Sequence, residues 1–246
     1  REAIAARQFL LHYQPQVTDK DQITGVEALL RWPDPKRGMV SPSEFIPLAE
    51  ETGLILPIGN WVLETACRQL ALWANEPALA QLTVAVNVSL RQFHQRDFVD
   101  QVLSTLARTG ANPSRLKIEL TESLLVTDLE GVIEKMNALK GKGVTFSLDD
   151  FGTGYSSLSY LKRLPLDQLK IDQGFVRDIL IDRDDAAIAR MVTVLAASMG
   201  LEVIAEGVET QTQREFLDAL GCHHYQGYLF SRPLPIQEFE TLLKRT

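Results

Sequence analysis

Eight short runs rich in β-branched and apolar residues recur along the chain, and helical patterns separate most of them. The runs are Leu11–Val17, Val26–Trp32, Leu82–Ser89, Leu116–Thr121, Thr145–Asp149, Gln168–Asp172, Glu202–Glu206 and Tyr225–Phe230. Alternation of this kind predicts βα units and a mainly parallel sheet. Eight such strands predict an α/β fold of the (β/α)8 barrel type, closed on itself. The length of 246 residues fits one barrel domain of about 250 residues. One connection departs from the repeat. Only Thr18 to Thr24 join the first two runs, with Asp19, Lys20 and Asp21 as turn residues. A parallel crossover needs roughly a dozen residues, so these two strands are expected to pair as an antiparallel hairpin. A doubly wound open sheet is the alternative. It usually carries a Gly-rich phosphate turn after its first strand, and this sequence has none there.

The helical patterns carry their own faces and ends. From Trp61 to Trp73, Val62, Ala66, Leu70 and Trp73 share one side; from Leu180 to Met199, Ile188, Val192, Leu195 and Met199 do the same. Asn60, Thr210 and Asp184 are candidate N-caps, and Gly110, Gly141, Gly200 and Gly221 stand where C-caps are expected.

Composition narrows the function. A formal net charge of −7 argues against binding polymeric nucleic acid, which needs clustered Lys and Arg. It leaves room for a small anionic ligand if divalent cations invert the local field. Hydrophobic residues at 45% and charged residues at 23% suit a soluble globular protein. The two cysteines, Cys67 and Cys222, form no CxxC pair, which predicts inert core thiols in a reducing cytoplasm. No signal peptide is visible, and the uncharged stretch Met191 to Leu201 is too short to span a bilayer. No membrane contact is expected of this segment. The chain opens at Arg1 without an initiator Met, which suggests a piece of a longer protein in which any membrane anchor would lie outside this segment.

The polar residues carry the chemistry. Glu27 lies in the second run, Asn87 in the third, Glu119 and Glu122 close the fourth, and Asp149 and Asp150 follow the fifth. Lys170 and Asp172 lie in the sixth run, Glu206 ends the seventh, and Gln226 is in the eighth. Barrel enzymes place their active site at the C-terminal rim of the strands, so these side chains are expected to crowd one mouth. Like charges so close raise one another's pKa, and hard divalent cations such as Mg²⁺ or Mn²⁺ remove the conflict. Adjacent aspartates suit two metals about 3.5–4 Å apart, an arrangement built for phosphate-ester hydrolysis. Lys170 is placed to stabilise developing charge on phosphorus or to orient the water. Taken singly, each of these residues reads as a cap, a turn former or a solvated charge; their recurrence on successive strand ends is what weighs. His12, His94, His223 and His224 lack metal-ligand spacing and read as structural. Trp32, Trp61 and Trp73 read as packing, and Ser156-Ser157 lacks a base and an orienter.

These motifs together resemble the EAL domain family. Glu27-Ala28-Leu29, extended to Leu30-Arg31-Trp32, stands for the naming triplet. His12-Tyr13-Gln14-Pro15-Gln16, Pro42 to Glu51, Asn87-Val88-Ser89 and Glu119-Leu120-Thr121-Glu122 match in order. Asp149 to Ser157, Leu169 to Asp172, Ala205 to Glu209 and Gln226-Gly227-Tyr228 complete the set. The resemblance implies a TIM-like barrel with one antiparallel strand. It implies hydrolysis of cyclic di-GMP to linear pGpG in bacterial second-messenger signalling. It implies one metal on Glu27, Asn87, Glu119 and Asp149, and a second on Asp149 and Asp150 with Asp149 bridging. Lys170 would contact the water, and Glu206 would be a general base or a metal-site carboxylate. Gln14, Arg31, Glu209 and Gln226 would bind substrate, and Glu122 would anchor the loop from Asp150 to Ser157. A homodimer and flanking sensory or GGDEF-type domains are further family expectations. Two other readings stay open: a cyclic di-GMP receptor without turnover, and an unrelated barrel enzyme using Lys170 as a Schiff-base lysine.

Overall fold

The computed structural model describes residues 2–123, 128–152 and 158–244. Ten strands form one sheet: β1 Leu10–Thr18, β2 Ile23–Asp34, β3 Gly38–Val40, β4 Thr83–Asn87, β5 Leu116–Thr121, β6 Thr145–Phe151, β7 Gln168–Ile171, β8 Glu202–Ala205, β9 His224–Tyr225 and β10 Leu234–Pro235. Eight of them close the barrel in the order β1-β9-β8-β7-β6-β5-β4-β2, with β2 returning to β1. The short first connection has the expected result. β1 pairs antiparallel with both neighbours, β2 and β9, and all other pairs in the ring are parallel. β3 and β10 lie outside the ring and were not expected.

The helices are α1 Glu2–Ala5, α2 Pro42–Thr52, α3 Ile55–Trp73, α4 Leu90–Phe93, α5 Phe98–Thr109, α6 Leu129–Lys140, α7 Leu158–Leu161, α8 Gln173–Arg177, α9 Arg183–Met199, α10 Gln211–Leu220 and α11 Ile236–Leu243. Val62, Ala66, Leu70 and Trp73 of α3 are all buried, as their spacing predicts. On α9 the buried line runs instead through Ala189, Val192 and Ala196, with Ile188, Leu195 and Met199 packed at its edge.

Several boundaries move for local reasons. α3 begins before Asn60, because Pro57 fits a first turn whose N–H groups need no intrahelical partner. α9 begins at Arg183, since the Asp182 carboxylate, not that of Asp184, accepts from the Asp184 and Asp185 amides. Thr210 does cap α10, in a reciprocal capping box with Gln213. The four expected glycine C-caps are in place, three of them left-handed and Gly141 right-handed. Ser89 and Asp172 leave their strands because each caps a following helix, through the amides of Gln92 and Gly174.

The last barrel strand is the largest correction. It stops at Tyr225 rather than reaching Phe230. Gly227 then turns the chain against the backbone of Val208, where a Cβ would lie 2.1 Å from the carbonyl oxygen. Gln226 stays joined to β8 by its amide, which donates to Ala205 O at 2.9 Å.

A ring of carboxylates around a buried lysine

Strand alternation and the parallel register bring the expected side chains to one mouth. Glu27 pairs across with Gln14 and Ala85, Asn87 with Glu119, and Thr121 with Asp149. At their centre stands Lys170, wholly buried. Its Nζ lies 2.5 Å from Glu206, 2.8 Å from Glu119, 3.3 Å from Asp149 and 3.9 Å from Glu27. Around Glu27, Asn87 Nδ2 donates to Oε1 at 2.6 Å and Gln226 Nε2 donates to Oε2 at 2.5 Å. Gln226 Nε2 also donates to Gln14 Oε1 at 3.1 Å, and Gln14 is tied in turn to Ser231 O.

Asp150 sits beside this ring by virtue of a bulge. The β6–β7 register shifts between Leu148 and Phe151, and Asp150 takes a left-handed φ of 55°. Aspartate tolerates that region better than most residues, and bulges re-aim side chains next to functional sites. The Asp150 amide donates to Asp149 Oδ1 at 3.0 Å. Glu122 Oε2 accepts from the Gly152 amide at 3.3 Å, at the start of the loop it was expected to anchor. Residues 153–157 of that loop lie outside the described residues.

One ammonium cannot balance so many carboxylates. Burial pushes Glu119 up to about 8, and Glu27 and Asp149 add to the rise against the pull of Lys170. Burial likewise holds Glu206 well above the usual carboxylate range. Asp150 rises to about 6 through burial and the charges of Asp149 and Asp172. Glu27 goes the other way: burial opposes ionisation, but Lys170 and the hydrogen bonds from Gln226 and Asn87 outweigh it. Lys170 is held well above its ordinary value, because four carboxylates overcome its burial.

The donor set fits divalent metal. It is all oxygen, as hard cations require, and Glu119 Oε1 is buried with no hydrogen-bond partner among the described residues. Such an orphaned acceptor is costly unless something positive meets it. Among the described residues, the His/Cys/Asp/Glu grouping within ligating distance is Asp19, Asp218 and His223, which is exposed and shares no residue with this mouth. Asp19 there carries Arg214 on its backbone carbonyl.

Arg31 and Glu209 make no hydrogen bond or ion pair to the ring among the described residues. Arg31 is half-buried, with Nη1 on Leu30 O at 2.8 Å, and Glu209 is exposed in the loop after β8. Beside the ring, a cavity of about 470 Å³ runs between α2, α3 and the strand ends, lined by Leu29, Arg31, Pro42, Ile46, Asn87 and Ser123 among others. Trp32 packs edge-on against Phe45 and donates its Nε1 to Gln8, so it supports the wall, as expected. Both cysteines are buried, and burial lifts each thiol to about 12. Sequence reasoning missed Gln16, whose Nε2 donates to Gln226 Oε1 at 3.0 Å. The i, i+2 spacing of Gln14 and Gln16 was the available signal, since both share the inward face of β1.

A closed α/β barrel with its polar groups gathered at one strand-end mouth is a TIM-barrel-like enzyme scaffold. The EAL domain model matches residues 1–233, and the chain belongs to that family. It is 48% identical over 239 residues to the bifunctional diguanylate cyclase/cyclic di-GMP phosphodiesterase MucR of Pseudomonas aeruginosa, covering 97% of this chain and 35% of that protein. It is 40% identical to the cyclic di-GMP phosphodiesterase PdeR of Escherichia coli over 245 residues, covering 100% of this chain and 37% of that one. The chain therefore spans about a third of the curated relatives it matches. Among solved structures, the PaMucR phosphodiesterase in complex with c-di-GMP superposes with a TM-score of 0.94 at 48% identity over 97% of both chains. Among the described residues, no helix is long and apolar enough to cross a membrane.

Proposed function

We propose that this chain is a single EAL-type domain of a longer multidomain protein, and that it hydrolyses cyclic di-GMP to pGpG with two Mg²⁺ or Mn²⁺ ions. The observation that carries the reading is the ring itself: four carboxylates converging on Lys170, with an unpartnered buried oxygen on Glu119. Glu27, Asn87, Glu119 and Asp149 would hold one ion, and Asp149 with Asp150 the other. Glu206 either joins the metal carboxylates or takes the proton of the water. Bound there, the ions would supply Lewis acidity toward the water and the scissile phosphate.

The chain's own residues do the rest. Gln226 and Asn87 hold Glu27 in one orientation, and Gln14 and Gln226 would help bind the substrate, Gln226 by holding the Gln14 amide in place. Arg31 presents a fork suited to a phosphate's paired oxygens. The neighbouring cavity, apolar on the Leu29, Pro42 and Ile46 side, suits a guanine base. Glu122 fixes the start of the Asp150–Ser157 loop through the Gly152 amide. With the carboxylates committed to metal, Lys170 would face the reacting water. The water oxygen bonds to phosphorus, the bond to the 3′-oxygen breaks, and that oxygen takes a proton.

The test is incubation of the purified chain with cyclic di-GMP in Mg²⁺, in Mn²⁺ and in EDTA, followed by chromatography. Metal-dependent pGpG is expected. Intact dinucleotide that stays bound under both metals would make the chain a receptor instead.

A further inference from the structure

The barrel opens again at its other end. There the N-terminal ends of the parallel strands surround a cavity of about 510 Å³, within the range of small-molecule sites, roughly 300–1,000 Å³. This is not the face where barrel enzymes do chemistry, yet its lining brings two cations and several amides and hydroxyls among aliphatic side chains. Lys117 and Arg115 both reach it. Lys117 is only 8% exposed. Its ammonium has three N–H donors but makes one hydrogen bond among the described residues, to Gln168 Oε1 at 2.9 Å. Arg115 is fixed by Gln81, through Nη1 to the carbonyl at 2.8 Å and Nη2 to the side chain. Its Nε is buried, with no hydrogen-bond partner among the described residues.

The unmet N–H groups of Lys117, in a cavity that the Arg115 guanidinium also lines, ask for an oxyanion. Glu202 lines the same cavity and its charge favours the Lys117 ammonium, but it fills that place only in part. It is exposed, where solvent and salt screen its charge, and its carboxylate takes the Gln168 amide at 3.4 Å. The remaining walls carry the amides of Gln16 and Gln22 and the hydroxyls of Thr24 and Thr83, interleaved with Ile23, Leu82, Ile204 and the His224 ring, and among the described residues no Phe, Tyr or Trp lines the cavity. Such walls offer hydrogen bonds to hydroxyl groups, with aliphatic side chains to pack against a carbon skeleton.

We propose that the N-terminal mouth of the barrel binds a small phosphorylated polyol of the sugar-phosphate class. Lys117 and Arg115 take the phosphate, and the surrounding amides and hydroxyls take the polyol. The site is separate from the carboxylate ring and does not depend on the reaction assigned to it.

Isothermal titration in EDTA with glucose 6-phosphate, orthophosphate and glucose tests this. Glucose 6-phosphate is expected to bind saturably and more tightly than orthophosphate, and glucose not at all. Arg115→Gln and Lys117→Met should each weaken binding about tenfold or more, while Arg31→Ala, at the opposite mouth, leaves it unchanged. Arg115 is partly exposed, so its variant reports even if Lys117→Met fails to fold. Absence of saturable binding to the folded wild type overturns the proposal and leaves a solvated well. Loss in Arg31→Ala with Arg115→Gln unaffected overturns it equally, by placing the anion at the other end.

Discussion

Two lysines stand one above the other inside the same barrel and meet opposite surroundings. Lys170, in the upper ring, faces four carboxylates and is held above its ordinary pKa. Lys117, in the lower mouth, donates to the neutral amide of Gln168, and burial pushes its pKa down, with Glu202 and Glu119 only partly opposing. Burial is nearly the same for both. What differs is the number of anions within reach, so a buried lysine's state is set by its neighbours rather than by depth. The upper mouth has an excess of negative charge that calls for cations; the lower has an excess of donors that calls for an anion.

The strongest way to break that contrast is at the upper ring. Glu27→Gln removes an acceptor shared by Gln226 and Asn87 and, on the proposed reading, a metal ligand. Turnover of cyclic di-GMP should fall by at least about 100-fold, as for losses at metal sites and charge-stabilising groups. Steady-state kinetics in saturating Mn²⁺ checks this, and near-normal turnover would remove Glu27 from the machinery.

Next comes stability. Lys170→Met leaves four carboxylates without the ammonium they share, and breaking a buried ion pair costs about 3–5 kcal/mol. Urea denaturation in EDTA should show that loss, with Mn²⁺ recovering part of it. Lys117→Met takes away a cation that burial already disfavours, and Gln168 Oε1 keeps the Ser147 hydroxyl as a donor. Its cost should be about 1 kcal/mol. Equal losses would mean that the neighbouring carboxylates do not distinguish the two lysines.

The pH dependence follows with opposite signs. Glu119 is raised from 4.5 to about 8. Between those values the folded state holds a proton that the unfolded state has lost. Stability of the metal-free protein should therefore fall as pH rises through that window, and divalent metal should flatten the slope. For Lys117 the depressed folded value means that the unfolded chain holds the extra proton. Its contribution should grow as pH rises toward 10.5. Thermal melts of wild type and Lys117→Met across pH, with and without Mn²⁺, separate the two slopes.

How far the sequence foretold this depends on range. The hairpin was legible because seven residues cannot cross over, and the ring was legible because polar residues recurred at strand ends. Gly227 belongs to the Gln226-Gly227-Tyr228 motif, yet its role needs the fold: only the approach of Val208 shows why the last strand stops at Tyr225. Asn60 and Asp184 looked like caps, but Pro57 and Asp182 set the helix starts. Lys117, Gln168 and Glu202 lie at strand starts, where polar residues read as solvated ends, so the lower cavity had no sequence signature.

The smallest expected effect lies where the two mouths meet. Gln16 lines the lower cavity, and its Nε2 donates to Gln226 Oε1 at 3.0 Å in the upper ring. That contact fixes which end of the Gln226 amide faces Glu27, because Gln226 Nε2 must then donate to Glu27 and Gln14. Gln16→Leu keeps the volume and removes the lock. The amide becomes free to turn its oxygen toward the Glu27 carboxylate, which repels it. Turnover should drop by about tenfold, the lower end of what partners of metal ligands contribute, and the apparent affinity for Mn²⁺ should weaken with it. A merely structural role would lower the melting temperature and leave the Mn²⁺ dependence of the rate unmoved. If only the melting temperature changes, the two mouths share a wall but no chemistry, and their contrast is one of separate sites.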